Sequence, residues 1–240
     1  MSEKIRIIKD VRIGQDGFFT RKLTDYLNFK SHNSQWPRSK VIRPSEVTMC
    51  LRHQVMSILR LLPDEEIPPK LQRIFDNGIS VHKRYLRSYI PRMGIACKVT
   101  IFERGRWVTK DFIEISIQHP EYWLRGAPDA VILNEEDRLP YIFELKSMKQ
   151  EYFQALSHPS WDYIAQVHLY MFMTGIPRAI IVYENKNDQD LKEFKIFQDQ
   201  NTIAFLIERI KTIQNYVLSY VVTKELPPRC NDKYCTACKL

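Results

Sequence analysis

The residues best suited to chemistry lie between Gly126 and Lys146. Gly126-Ala127-Pro128-Asp129 is followed, after a short gap, by Glu144-Leu145-Lys146. Alternation along a strand puts Glu144 and Lys146 on one face and turns Leu145 toward the core. Leu124 to Leu133 reads as a strand, Asn134-Glu135-Glu136-Asp137 as a turn, and Tyr141 to Leu145 as the returning strand. Asp129 then lies across a hairpin from Glu144. Two converging carboxylates offer oxygen ligands to a hard cation such as Mg2+ or Mn2+. A lysine beside them can orient or deprotonate a water. A solvated surface hairpin can carry the same letters, so what matters is whether other segments supply partners.

Three segments do. Gly78-Ile79-Ser80-Val81-His82 sits on an expected helix from Leu71 to Tyr89 and offers a nitrogen ligand. Gln166-x-x-x-Tyr170 sits on an expected helix from Asp162 to Met173, closed by Gly175 and Pro177. The i, i+4 spacing projects Gln166 and Tyr170 from one face. The third segment is Cys230, Cys235 and Cys238 near the C-terminus, with Cys50 far upstream in Ser45-Glu46-Val47-Thr48-Met49-Cys50-Leu51-Arg52. The first ten residues are charged and show no secretory leader, so a soft-metal thiolate site is expected rather than disulfides. Cys50 would complete a tetrahedral set with the three tail cysteines. Four thiolates suit zinc, as do three with His53, and four also suit an iron–sulfur cubane. Cys97 is expected to pack as a small hydrophobe.

Pro128-Asp129 with Glu144-x-Lys146 resembles the PD-(D/E)XK nuclease signature. The G-x-x-x-H helix before it and the Q-x-x-x-Y helix after it resemble the RecB-like branch. The S-x-x-x-x-C-x-R context and the C-x-x-x-x-C-x-x-C tail resemble its iron–sulfur members, the CRISPR-associated four-cysteine exonucleases and AddB-type subunits. The motifs occur in the family's order from about Pro44 to Cys238, although a proline common beside the last cysteines of the CRISPR-associated members is missing. The resemblance implies a metal-dependent DNA exonuclease of replication, recombination or repair, acting on single strands or DNA ends. It implies metal ligation by His82, Asp129, Glu144 and the carbonyl of Leu145, with Lys146 at the attacking water and Gln166 and Tyr170 positioning Lys146 or the phosphate. It also implies a [4Fe-4S] cluster on Cys50, Cys230, Cys235 and Cys238, with zinc as the rival. The alternative is a non-catalytic nucleic-acid-binding or zinc-stapled subunit of a larger DNA-processing complex.

The rest of the chain must position these groups. Its 240 residues, 44% hydrophobic, suffice for one full core. No apolar run is long enough to cross a membrane. A net charge of +8 and a pI near 9.2 fit a polyanionic partner. Arg104, Arg106, Lys110 and Arg125 fall near the expected hairpins and could meet phosphates. Residues 1–43 are expected as an N-terminal extension, with a strand over Ile5–Ile13, a helix over Phe18–Phe29, and Phe18, Phe19, Tyr26 and Trp36 mostly packed in the core. That extension could dock a helicase or recombination partner. Residues 44–240 are expected to form an α/β (α+β) domain with a restriction-endonuclease-like core, a central mixed sheet flanked by helices, and a cysteine-stapled cap. Further expected elements are a helix from Ser45 to Leu61, strands over Ile95–Phe102, Phe112–Ile117, Ala179–Tyr183 and Leu191–Phe197, and a helix over Asn201–Val221. A cytoplasmic setting, prokaryotic or viral within a host, is expected; oligomeric state is open.

Overall fold

The computed structural model describes residues 18–33, 41–63 and 66–240. The chain divides into two units, one of residues 1–36 and 64–76, the other of 37–63 and 77–240. In the first, α1 (Phe18–Asn33) runs one turn past its expected end. Its Lys30 pairs with Asp76 at 3.5 Å, and the Ser31 hydroxyl accepts from the Ile67 amide at 2.9 Å. Phe19 and Tyr26 are exposed, contrary to the expected core packing. The Ile5–Ile13 strand and the side chains of Phe18 and Trp36 lie outside the described residues.

The second unit holds every candidate site residue. A 3-10 turn (Pro44–Glu46) precedes α2 (Leu51–Ile58), with Cys50 as its extended N-cap. The single helix expected from Ser45 is therefore interrupted. The Val47 and Met49 carbonyls accept from the side chains of Gln54 and Arg209 instead of continuing a helical ladder. Helix α3 (Pro69–Arg84) carries His82 and runs through a π turn (Tyr85–Tyr89) into α4 (Ile90–Met93), which Gly94 ends in the left-handed region.

A separate hairpin follows, β1 (Lys98–Glu103) with β2 (Arg106–Asp111). Of residues 112–117, expected as a strand, 112–116 carry only a bridge from Ile113 to Ala130, and Ile117 opens the next strand. Next come β3 (Ile117–His119) and β4 (Leu124–Gly126), paired with each other. The central sheet is β5 (Ala130–Leu133), β6 (Pro140–Met148), β7 (Arg178–Asn185) and β8 (Leu191–Phe197), in that order. It is mixed: β6 and β7 are parallel, and both outer pairs are antiparallel. The one strand expected over Leu124–Leu133 is two, in different sheets, because Pro128 lacks an amide to continue a ladder.

The β6–β7 crossover contains α5 (Gln150–Ala155) and α6 (Trp161–Thr174); α7 (Gln200–Thr223) and α8 (Thr236–Lys239) end the chain. Alternation on β6 divides the core. Phe143 and Leu145 join Val81, Leu86 and Ile90 on one face of the sheet, while Ile142 joins Val167, Tyr170 and Met171 on the other. Helix α7 packs Leu206, Ile210 and Ile213 against Val55 and Leu169. Among the described residues, no helix is long and apolar enough to cross a membrane.

Candidate active site and thiolate centre

The acidic site is built where β5 stops. Pairing between β5 and β6 ends at Ala130 and Phe143, so the next rung places Asp129 opposite Glu144, as the sequence predicts. No backbone partner from β5 remains for the Leu145 amide, and Asp129 Oδ2 accepts from it at 2.7 Å. The other oxygen, Oδ1, lies 3.2 Å from His82 Nδ1 on α3. Leu145 is fully buried, which fixes β6 at this point.

Glu144 and Lys146 share a face, as alternation requires. Lys146 Nζ donates to Glu144 Oε1 at 2.7 Å and to Gln166 Oε1 at 3.3 Å. Gln166 Nε2 also donates to Glu144 Oε1, at 2.7 Å. Lys146 Nζ lies 4.5 Å from the Tyr163 ring centroid, a cation–π contact that desolvation strengthens. Tyr163 is a residue sequence reasoning missed; the signal was its position three residues before Gln166 on α6. Among the described residues Tyr170 makes no hydrogen bond to Lys146 but shares one with Gln166, which does. The Tyr170 hydroxyl donates to the Ala127 carbonyl at 3.0 Å, holding the turn that carries Asp129. A Cβ at Gly126 would stand 2.9 Å from Pro44 Cδ and 3.0 Å from Tyr170 Cε1, so this close approach needs glycine.

The electrostatics follow from burial. Glu144 is 3% exposed; desolvation, then the charge of Asp129, push its carboxyl up to about 7 against the pull of Lys146. Burial opposes the charge on Lys146, but Glu144 more than offsets it and the ammonium is held above its ordinary value. His82 is raised by its hydrogen bond to Asp129, against desolvation. Glu144 Oε2 is buried without a partner among the described residues. Two acids, a histidine and an orphaned carboxylate oxygen suit a hard cation, which would supply the missing partner and the missing positive charge.

Behind His82, Arg84 donates to both oxygens of Glu184 on β7, at 2.5 and 2.6 Å. Glu184 is buried, and burial followed by its hydrogen bond pushes the Tyr85 hydroxyl up to about 12. This pair anchors the end of α3 two residues from His82. Nothing in the local pattern marks it, since its members are a hundred residues apart.

The second site joins Cys50 to the C-terminal tail. Cys50, Cys230, Cys235 and Cys238 bring their Sγ atoms within 4.8 Å of one another, with Cys50 and Cys238 at 3.6 Å. All are free thiols, and His53 is not in the group. Burial raises the Cys238 thiol, but the Cys230 amide at 3.2 Å and the neighbouring thiols more than offset it, bringing it down to about 7. Arg52, two residues past Cys50, holds the tail by donating to the Ala237 carbonyl at 3.1 Å and the Pro227 carbonyl at 2.9 Å. Cys97 is half-buried, and its backbone joins Val131 and Phe112.

No family model matches the sequence, and no curated protein matches it. Solved structures do match. An alkaline exonuclease (LHK-Exo) from Laribacter hongkongensis superposes with a TM-score of 0.54 at 17% identity, over 82% of this chain and 94% of that one. LHK-Exo in complex with dAMP gives 0.53 at 16%, over 77% and 91%. A phage-related exonuclease from Haemophilus somnus 129PT gives 0.50 at 12%, over 77% and 96%. The architecture is thus a mixed α/β fold similar to that of alkaline and phage-related exonucleases, and at these identities the likeness is one of fold.

Proposed function

We propose that this chain is a metal-dependent deoxyribonuclease that removes nucleotides from single-stranded DNA or DNA ends by phosphodiester hydrolysis. The observation that carries the reading is Glu144, buried, pushed up to about 7, and left with one oxygen unpartnered beside Asp129 and Lys146. A scaffold that only bound nucleic acid would gain nothing from burying such a group. The fold likeness to exonucleases supports the reading, as does the dAMP complex of one of them, since a deoxynucleoside monophosphate is what exonucleolytic hydrolysis releases.

Asp129, Glu144 and His82 would hold Mg2+ or Mn2+, with the Leu145 carbonyl as the ligand the family resemblance implies. When bound, the cation supplies Lewis-acid activation of water and charge stabilisation on the phosphate. The chain's own groups do the rest. Lys146 orients the attacking water and offsets charge on the transferring phosphate. Gln166 and Tyr163 hold Lys146 in place, and Tyr170 fixes the 126–129 turn. The Arg84–Glu184 pair steadies the helix that presents His82. A helicase or recombination protein would be a natural partner for such an enzyme.

The four thiols fit a soft metal centre that fastens the C-terminal tail to Cys50. The family resemblance favours a [4Fe-4S] cluster. Zinc is the second reading, because the Cys50–Cys238 separation of 3.6 Å is close to the roughly 3.8 Å edge of a tetrahedron with 2.3 Å Zn–S bonds. Metal analysis after anaerobic purification, joined to a Mn2+-dependent assay on end-labelled single-stranded DNA, tests both parts. Iron with end degradation supports the cluster and the nuclease; zinc with end degradation revises only the tail. Absence of cleavage by metal-replete protein overturns the nuclease reading.

A further inference from the structure

The β1–β2 hairpin lies outside the central sheet, yet it is rooted beside Asp129. The Cys97 amide donates to the Val131 carbonyl at 2.8 Å, and the Glu114 amide to the Asp129 carbonyl at 2.9 Å. From that base six residues per strand, at ~3.3 Å each, carry the tip about 20 Å outward. One face of the hairpin half-buries Val99, Ile101 and Val108. The other is polar, with Thr100 and Thr109 joined at 2.8 Å, except at its outer end. There Phe102 faces Trp107 across the ladder. Their rings meet edge to face at 5.3 Å and remain 62% and 72% exposed. An aromatic pair helps a hairpin hold together, but that does not require both rings to stand in solvent beside cations.

The turn adds those cations. Arg104 and Gly105 have φ of 49 and 80, as a type I′ turn demands. The first position favours Asn, Asp or Gly, so arginine is there at a conformational cost. Lys98 pairs with Asp111 and Lys110 with Glu103. Arg104 and Arg106 have no ion-pair partner among the described residues.

We infer that this hairpin is an arm for single-stranded nucleic acid, with a base stacking on the Phe102–Trp107 pair, an adjacent phosphate meeting Arg104 at the turn, and Arg106, on the opposite face of the ladder across from Glu103, adding to the positive charge of the tip. Exposed aromatic faces beside unpaired cations match the alternating bases and phosphates of a single strand, whereas a duplex keeps its base faces covered. The partner rests on the nuclease reading; the surface itself does not.

The test uses the full chain carrying Lys146→Ala, so that a bound strand is not cut, and a labelled oligothymidylate titrated by fluorescence anisotropy. Phe102→Ala with Trp107→Ala should weaken binding roughly tenfold or more, while Trp107→Phe retains most of it. Arg104→Glu with Arg106→Glu should weaken binding and flatten its salt dependence. Circular dichroism and thiolate-metal content check that each variant is folded. Unchanged affinity in both double variants, against a parent that binds, overturns the arm and leaves the nuclease reading standing. So does a shift from dimer to monomer with binding intact, which would assign the pair to a second copy of the chain. A parent that binds no single strand overturns the arm as well, and leaves the nuclease reading to duplex ends.

Discussion

The acidic site and the thiolate site solve opposite problems. Around Glu144 everything is already in place: β6 is buried on both faces, Asp129 takes the place of a missing ladder partner, and Gln166 and Tyr163 fix Lys146. The fold pays to bury charge there, and one carboxylate oxygen is left over. At the cysteines the fold supplies less. Three of the four thiols are only half-buried, the closing helix is four residues long, and Arg52 holds the tail by two hydrogen bonds. A metal in the first site would act on a substrate, with the fold as its support. In the second site the metal would itself be the support, since binding energy there becomes folding energy.

The largest effect that sharpens this contrast is on turnover. Lys146→Ala should lower cleavage by roughly 10²–10⁴-fold while sparing DNA binding, measured by single-turnover assay beside anisotropy. Cys238→Ser should do the reverse. Loss of the tail metal should lower Tm by roughly 10 °C or more, and the activity that survives should track the folded fraction. Equal loss of stability in both variants would erase the contrast.

The pH dependence of metal binding is next in size. Glu144 is pushed up to about 7 and His82 is raised above its ordinary value, and both must lose their protons to bind a cation. Divalent-metal affinity should therefore fall as pH drops through about 7, with proton release on binding detectable by calorimetry in two buffers. His82→Ala should weaken affinity at neutral pH and make it less steep in pH. Gly126→Ala should destabilise the protein by about 1–3 kcal/mol through overpacking against Pro44 and Tyr170. Tyr170→Phe, which removes the hydroxyl's bonds to Ala127 and Gln166, should cost about 1–2 kcal/mol; both are read by denaturant melts.

What could be read in the sequence was local or periodic. The shared face of Glu144 and Lys146, the i, i+4 pair Gln166 and Tyr170, and the Gly175 helix end follow from geometry within one element. Asp129 opposite Glu144 required only a hairpin register. The errors fell where backbone groups find partners far away. The Ser45 helix breaks because Arg209, about 160 residues on, takes the Val47 and Met49 carbonyls. The strand after β1 is the more polar Arg106–Asp111 and not the apolar Phe112–Ile117, because the Arg104-Gly105 turn returns the chain directly against β1. Arg84 with Glu184 and Arg52 with Ala237 were invisible for the same reason. Tyr170 follows its helical spacing to Gln166, but its second partner, the Ala127 carbonyl 43 residues upstream, could not be read from either segment.

The account stands most directly on one measurement: release of nucleotides from end-labelled single-stranded DNA in Mn2+, by the wild-type chain and by Lys146→Ala matched in fold and in tail-metal content. It predicts stepwise end degradation by the wild type and almost none by the variant, with both binding the strand. Equal degradation by the two, or none by a folded and metal-replete wild type, would contradict the assignment of Asp129, Glu144 and Lys146 as a hydrolytic centre.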